Sequence, residues 1–480
     1  MTRKEAIEIL NSLEQKYPVD QWTIDGITVW PVIKIDLFFK WFNKYYSKEL
    51  ISDTNTQENS TTKKIIKCVR SFIKLGKLLL QAEKKVTVLF SGANTHRVDF
   101  QDAFINRYFQ PLIEYIKEEE GRQSLMIDYL PRDSSKNYKP QTNLFFLDEY
   151  RLAARIITEV RSRRLKYNLP GYEEFLNEVS ERFNFDLNKT QYRKSIEQIV
   201  RETQANAFVY DIFLRKYNPG HVIGLCYYSG AMYGMNYAAH KRGIPSIDMQ
   251  HGGQGELHAA YAGFEKIPST GYNIMPKVFW CWDEASAETI LAWTDKQNFH
   301  QVKVGGNPWL RYCAQFKETY PFPGKRIILY TMQFNELEDY LVEAIKNTPE
   351  DYSWWLRLHP CRVDGLPRLI EILKNNGILD KVEFDKATNY PLPVILSKAH
   401  VHLSKYSGSV IEAAQVGVKT IVLDPIGVNA YKNQIHEGSA IAFIAGSASQ
   451  LIGIIESINN KFTNKEVPAY KSVLHQLLEG

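Results

Sequence analysis

Three stretches of the chain bring together residues that can hold an anion or move a proton. The first runs Leu403-Ser404-Lys405-Tyr406-Ser407-Gly408-Ser409-Val410-Ile411-Glu412. It follows an apolar run, AHVHLS, and opens a predicted helix. Small residues let a backbone approach a ligand closely, and a helix start offers unpaired N–H groups at the positive end of its dipole. Ser407, Gly408 and Ser409 therefore suit a phosphate or a diphosphate, with the hydroxyls as added donors. Ser409-x-x-Glu412 is also a capping box, which satisfies the helix start without any ligand. The two readings are compatible.

The second stretch is Trp354-Trp355-Leu356-Arg357-Leu358-His359-Pro360. Alternation along a strand places Arg357 and His359 on one face at its carboxyl end. Arg offers a phosphate a fork of donors and His a single one. The third is Met249-Gln250-His251-Gly252-Gly253-Gln254-Gly255-Glu256-Leu257-His258. A strand, PSIDMQ, enters a glycine-rich loop there. His251 is a candidate general base or oxyanion donor, and Glu256 is a second candidate base. A glycine-rich turn with incidental polar residues is the plain alternative. The loop SGANTHRVD follows the first strand of the N-terminal half, and its Asn94, His96 and Arg97 can touch an acceptor. A polar loop with no ligand reads equally well there. In VGGNPW, Asn307 reads as a helix cap.

Metal chemistry finds little support. There is no H-E-x-x-H or D-x-D cluster. His400 and His402 share a strand face by alternation but lack nearby Cys or carboxylate co-ligands, so they read as strand residues. No metal and no cofactor are expected. A serine-hydrolase elbow, G-x-S-x-G, is absent. The five cysteines, Cys68, Cys226, Cys281, Cys313 and Cys361, are scattered without a C-x-x-C pair. That pattern predicts a reducing compartment without structural zinc.

The elements that must position these residues follow from composition and rhythm. With 480 residues, 44% hydrophobic and 24% charged, the chain suits two or three globular domains. A net charge of +5 is compatible with phosphates or anionic lipid heads and too diffuse for nucleic acid. The start, MTRKEAIEIL, reads as a polar helix rather than a signal peptide, and no apolar run reaches the roughly 18 residues of a membrane span. Residues 1–64 form a segment of their own. Its aromatics, with Lys34, Lys40 and Lys44, read either as a helix docked on a core or as a face resting on a membrane. Residues 51–64 read as a polar linker.

Residues 65–320 alternate helices with apolar strands at 86–90, 126–130, 221–228, 245–250, 277–282 and 301–306. AFINRYFQPLIEYI is expected as a helix, and 150–216 as a helical insertion. The Pro-rich stretch 320–326 marks a domain boundary. In 321–480 the runs RIILYT, WWLRLH, KVEFD, AHVHLS, KTIVLD and AIAFIA alternate with helices. Strands alternating with helices imply parallel sheets with right-handed crossovers, so the fold class is α/β with two doubly wound domains. Ligands in such sheets bind outside the carboxyl ends of the strands, and a cleft between two such faces is expected.

Four motifs occur in one order: Gln250-His251-Gly252, Gly306-Asn307-Pro308, Leu358-His359-Pro360, and Ser407-Gly408-Ser409-x-x-Glu412-Ala413. On these the chain resembles bacterial capsule and surface-polysaccharide glycosyltransferases of the GT-B fold. It is similar to polysialyltransferases, Kdo transferases and teichoic-acid polymerases. The resemblance spans about 220–430. It implies donor-phosphate contacts from His359, Ser407 and Ser409, a ribose contact from Glu412, and His251 at the reaction centre. It implies a nucleotide-sugar donor, a glycan or lipid-linked glycan acceptor, no nucleic acid, and a cytoplasmic enzyme with or without peripheral contact to the inner membrane face. A polyol-phosphate transferase, a nucleotide-sugar 2-epimerase and an inactive assembly scaffold remain open alternatives. The acidic base motif of the sialyltransferase relatives has one match, Glu119-Glu120-Gly121, where a helix stop explains the residues equally well.

Overall fold

The computed structural model describes residues 1–46, 61–140, 143–162, 164–458 and 469–479. The chain divides into two units, Met1–Gly306 with Ala469–Gly480, and Asn307–Pro468.

The first unit is built on a seven-stranded sheet. Its strands are β1 (Val88–Gly92), β2 (Ser124–Asp128), β3 (Leu144–Phe146), β4 (His221–Leu225), β5 (Ser246–Met249), β6 (Val278–Cys281) and β7 (Gln301–Val304). They lie in the order β7-β6-β5-β4-β1-β2-β3, and each pairing is parallel. A parallel sheet is covered by crossover helices on both faces, which is why β1, β4, β5 and β6 are buried along their whole length. The order reverses between β1 and β4, the place where such a sheet opens a crevice at its carboxyl edge.

The helices Lys189–Tyr217 and Gly230–Arg242 share one of these faces. Gly234 permits their close approach: a Cβ there would lie 2.5 Å from the Cβ of Asn206. The expected 150–216 insertion is three helices, Asp148–Arg161, Tyr172–Phe183 and Lys189–Tyr217.

The N-terminal residues belong to the first unit rather than to a separate segment. The helices Arg3–Lys16 and Trp30–Tyr46 bracket a small hairpin that pairs with Tyr167–Asn168. Trp22, Trp30 and Trp41 are fully buried in a core shared with Phe175, Tyr261, Phe264 and Trp293. Of the lysines read as a basic face, Lys34 is completely buried against Glu14, Lys40 pairs with Asp36 at 3.4 Å, and Lys44 donates to the Asn184 carbonyl at 2.7 Å. The docked-helix reading therefore holds and the membrane-face reading fails at this place, because the aromatics meet a core supplied by residues 170–300. Of the linker expected over 51–64, residues 51–60 lie outside the described residues, and 61–64 begin the helix Thr61–Leu80. No described helix is long and apolar enough to cross a membrane.

AFINRYFQPLIEYI is not one helix. Arg97–Phe100 and Ala103–Asn106 form a tight antiparallel hairpin, with Gln101 and Asp102 at positive φ in its turn. The helix begins only at Gln110. Asn106 accepts from the backbone N–H of Tyr108 (3.1 Å) and of Phe109 (3.2 Å), and so ends the strand.

The second unit holds six strands: β8 (Arg326–Thr331), β9 (Tyr352–Arg357), β10 (Val382–Glu383), β11 (Ala399–Ser404), β12 (Thr420–Val422) and β13 (Ala440–Ala442). Their order is β10-β9-β8-β11-β12-β13, all parallel. This is the 3-2-1-4-5-6 order of a doubly wound nucleotide-binding sheet, with its switch between β8 and β11. Each unit is thus built on a doubly wound, Rossmann-like parallel sheet.

The division falls after Gly306, ahead of the Pro-rich stretch 320–326. Asn307 accepts from the Trp309 N–H at 3.1 Å and caps the helix Pro308–Ala314, which belongs to the second unit. The chain also returns. Its final helix, Tyr470–Glu479, belongs to the first unit, held through Lys471–Glu119, His475–Glu120 (3.1 Å) and Arg122–Glu479 (2.7 Å).

Candidate functional site

In the first unit the carboxyl edge around the switch gathers histidines and tyrosines from four different loops. His96 comes from the turn after β1, Tyr129 directly follows β2, Tyr228 follows β4, and His251 follows β5. The imidazole of His251 lies 6.1 Å from that of His96 and 6.4 Å from the ring of Tyr228, centroid to centroid. Tyr228 in turn lies 5.4 Å from His258. His96 also faces Tyr108 and Tyr129 at 6.1 and 6.3 Å.

The backbone and the first ring of neighbours hold this cluster. The side chain of Gln250 is completely buried. It donates to the Gly252 carbonyl (2.9 Å) and the Ser286 hydroxyl (3.0 Å) and accepts from the Trp282 N–H (2.7 Å), which pins the start of the His251 loop. Arg107 donates to the Tyr108 hydroxyl (2.7 Å), and that hydroxyl donates to the carbonyl of His251 (2.9 Å). His96 Nδ1 accepts from the Ala93 N–H (3.1 Å), and His258 Nδ1 accepts from the Ala260 N–H (3.2 Å). Each ring therefore carries its single proton on Nε2, and that of His258 points at the Tyr228 hydroxyl, 3.4 Å away. Cys226, where β4 leaves the sheet, sits at φ +60. That conformation is costly for a residue with a Cβ.

Burial keeps these groups uncharged. It draws His251 down to about 4, aided by the positive charge of Arg107. Burial, then the neighbouring His251 and Arg3, brings His258 to about 3. His96 is lowered by burial, His251 and Arg107. Burial pushes the Cys226 thiol up to about 12, so it remains a thiol. The result is a set of neutral imidazoles that hold a proton only weakly while the site is empty. Beneath them Asp248 is buried with its acidity weakened by desolvation; it accepts from the Tyr227 N–H (3.0 Å) and the Tyr261 hydroxyl (3.3 Å), and so fixes both tyrosines.

The other first-unit candidates go elsewhere. Glu256 is exposed on its loop. Asn94 donates to the Pro131 carbonyl (2.9 Å) and accepts from the Tyr138 hydroxyl (3.1 Å), which makes it a loop brace. Arg97 is turned into the protein, where it pairs with Asp128 (2.7 Å) and donates to the carbonyls of Phe104 (2.7 Å) and Lys139 (2.9 Å). Both side chains are thus engaged within the first unit. Glu119 and Glu120 hold the final helix, and Gly121 stops the preceding helix at φ +63. Among the described residues, Glu120, His475 and Glu479 form the one grouping with metal-ligand spacing. Arg122 pairs with Glu479 and reaches Glu120 at 4.0 Å, which places a cation where a metal would sit.

In the second unit one row crosses the carboxyl edge, Arg357, Thr331, Ser404, Val422 and Ala442, each residue in register with the next. The turn Ser404–Gly408 leaves this row. Ser407 and Gly408 are half-buried at its tip, and Glu412 is half-buried one turn further on. Ser407 accepts from the Ser409 N–H at 3.3 Å and donates its own N–H to the Ser404 hydroxyl at 3.4 Å. Gly427 is required beside this turn: a Cβ there would lie 1.8 Å from the Lys405 carbonyl oxygen.

Two second-unit expectations are corrected. Ser409 is the first residue of its helix, Gly408 occupies the cap position without a side chain, and the Ser407 hydroxyl accepts from the Ser409 N–H. The Ser409 hydroxyl turns inward to Thr331 (2.9 Å) and His402 Nε2 (3.3 Å), so the capping box does not form and the hydroxyl does not face a ligand. The Arg357 guanidinium is engaged within the unit as well. It donates to the carbonyls of Ala387 (2.6 Å) and Tyr390 (2.7 Å) and braces the segment behind the strand. His359, past the end of β9, is exposed.

The pair His400 and His402 is also separated. A β-bulge opposite Ile327 and Ile328 breaks the alternation. His400 reaches the Ile455 carbonyl at 3.2 Å, whereas His402 is fully buried between Thr331 and Thr420, each at 2.9 Å. Burial lowers His402 to about 3. His402, Thr331 and Gln333, which accepts from the Lys405 N–H at 3.2 Å, support the turn; Thr331 and Gln333 do not stand out in the sequence, and His402 reads there only as a strand residue. Tyr108, Tyr129, Tyr228 and Cys226 are likewise site residues without a motif. The Gly-Gly and Tyr-Tyr content near them is the only hint the sequence offers.

No family model matches the chain, and no curated protein matches it. Solved structures do. A UDP-GlcNAc 2-epimerase from Neisseria meningitidis, bound to UDP-GlcNAc, is 15% identical over 82% of this chain and 100% of that one, with a TM-score of 0.47. The enzyme of the same name from Methanocaldococcus jannaschii, in complex with UDP-GlcNAc and UDP, is 14% identical over 82% and 99%, at 0.44. A lipopolysaccharide outer core galactosyltransferase is 11% identical over 82% and 99%, at 0.38.

Proposed function

We propose that this chain is a nucleotide-sugar enzyme that transfers a sugar to a surface-polysaccharide acceptor without a metal ion. The observation that carries the reading is His251, a neutral imidazole at the switch of a doubly wound sheet, flanked by His96, Tyr228 and Arg107. A neutral imidazole accepts the proton of an acceptor hydroxyl as the glycosidic bond forms. Burial opposes the resulting charge, and an anionic substrate beside the ring favours it. Such a base is therefore weak when the site is empty and stronger when it is filled.

In the second unit, the turn around Ser407 and Gly408 with the exposed His359 holds the nucleotide phosphates, and Glu412 meets the ribose. The 3-2-1-4-5-6 sheet order supports a nucleotide at this edge. The acceptor is a glycan or a lipid-linked glycan.

A thermal-shift panel with UDP, GDP, dTDP, CDP and CMP, without metal and then with magnesium, identifies the nucleotide, since a ligand that binds only the folded chain raises its stability. Nucleotide release from the matching nucleotide sugar then measures turnover. His359→Ala is expected to lose the shift, and His251→Ala to keep the shift and lose turnover. An unchanged shift in His359→Ala overturns the phosphate assignment. Conversion of the nucleotide sugar to its C2 epimer without an acceptor replaces transfer by epimerisation.

A further inference from the structure

The helix Thr61–Leu80 has one face too many. Ser71, Leu75 and Leu78 dock it on the first unit, with the Ser71 hydroxyl accepting from the Ala153 N–H at 3.0 Å. A surface helix docked in this way ordinarily turns a polar face to water. Here the opposite face is apolar. Ile65, Ile66, Val69, Phe72, Ile73, Leu79 and Leu80 follow helical spacing and are all exposed, Leu80 to 88% and Ile65 to 59%. Between the apolar and docked faces runs a basic stripe of Lys67, Arg70, Lys74 and Lys77. Lys67 and Lys74 pair with Asp148 (3.3 Å) and Glu149 (3.2 Å), whereas Arg70 and Lys77 make no ion pair among the described residues. The helix contains no Asp or Glu.

We infer that this face is a docking surface for an anionic lipid bilayer. A helix lying in the interface buries its apolar face at the headgroup–acyl boundary while flanking Lys and Arg meet lipid phosphates, and this helix has both parts. The charge chooses the occupant. A second copy of the chain would set one basic stripe against another in a two-fold contact, which repels. The preceding residues 47–60, SKELISDTNTQENS, carry only Leu50 and Ile51 as large apolar groups, too few to cover seven exposed side chains. The surface is independent of the residues assigned to proton transfer or nucleotide binding.

The test is flotation of the full chain with phosphatidylcholine vesicles, with and without about 30% phosphatidylglycerol, at about 0.1 M and 1 M salt. Val69→Asp/Ile73→Asp removes the apolar face, and Arg70→Glu/Lys77→Glu reverses the stripe. All four side chains are exposed, so the far-UV spectrum and thermal midpoint should match the unsubstituted chain. The unsubstituted chain is expected to float with the anionic vesicles at least tenfold better than with neutral ones, and high salt should weaken binding. Each double variant is expected to lose about tenfold or more of that binding. No flotation of the unsubstituted chain, or equal flotation of the variants, overturns the inference. So does a dimer in sedimentation that Val69→Asp/Ile73→Asp dissolves without any vesicle binding.

Discussion

Lys34→Met separates the observed position of the N-terminal helices from the surface position that their basic-aromatic composition suggests. Both Lys34 and Glu14 are completely buried, 3.1 Å apart. The ammonium also donates to Asn11 (2.9 Å) and to the Gly263 carbonyl. Glu14 has support besides Lys34, accepting from the N–H groups of Glu265 (2.7 Å) and Lys266 (2.9 Å). Removing one partner of a buried pair costs about 3–5 kcal/mol because the other charge is left unpaired. The two remaining N–H donors place the expected loss at the lower end, about 3 kcal/mol. At about 1.4 kcal/mol per factor of ten, local opening becomes on the order of a hundredfold more frequent.

Amide exchange followed by mass spectrometry reads that change in peptides covering 10–20 and 259–272, which the pair ties together. Lys40→Met, whose ammonium is exposed although its i,i+4 partner Asp36 is half-buried, should change exchange by no more than about 1 kcal/mol. Adding Glu14→Gln to Lys34→Met should recover part of the loss, because the amide oxygen still accepts both N–H groups and no charge stays buried. A loss below about 1 kcal/mol for Lys34→Met, or a double variant less stable than the single one, refutes the reasoning.

Other outcomes follow from the same geometry. Ser409→Ala should destabilise the second unit by about 1–2 kcal/mol in urea, since it leaves buried Thr331 and His402 short of a partner, while Ser407→Ala, which removes an acceptor for the first N–H of the helix, should cost about 0.5–1 kcal/mol and weaken the nucleotide-induced thermal shift. His251 (about 4), His258 (about 3) and His402 (about 3) all sit below the 6.5 of an unperturbed histidine. The unfolded chain takes up protons below pH ~6.5 that the folded chain refuses, so stability falls as pH drops from about 6.5 toward 4. His402→Gln should flatten that fall in thermal midpoints, and an unchanged slope excludes His402 as a contributor. Gly427→Ala should displace the Lys405 turn and remove nucleotide binding, seen as loss of the thermal shift, with the first unit's unfolding unaffected.

Much of the fold was legible from local pattern. RIILYT and AHVHLS are strands over the same residues in the structure, and the alternation of strands with helices carried the fold class because a parallel sheet admits only crossover connections. The site was legible in part. A strand running into glycines marked the loop of His251, and the loop does lie at a carboxyl edge. The inverted hairpin at 97–106 was not legible, because it depends on Gln101 and Asp102 accepting positive φ, which residue type alone permits without requiring.

What the sequence determined by itself was therefore the class of sheet and the loops at its carboxyl edges. The tertiary structure decided which polar side chains remain available. Arg97, Arg357 and Ser409 look like ligand contacts in one dimension, yet each finds an acceptor or donor inside the protein. His402 looks like a strand residue and becomes the hub of a hydroxyl network. Trp30 and Trp41 resemble a membrane face and lie in a core, while the helix Thr61–Leu80 keeps its apolar face exposed. A polar or apolar side chain is satisfied by neighbours that arrive from distant parts of the chain. Glu14 and Gly263 reach Lys34 across separations of 20 and 229 residues. Pattern along the sequence reports a side chain's needs, and only packing shows whether they have been met.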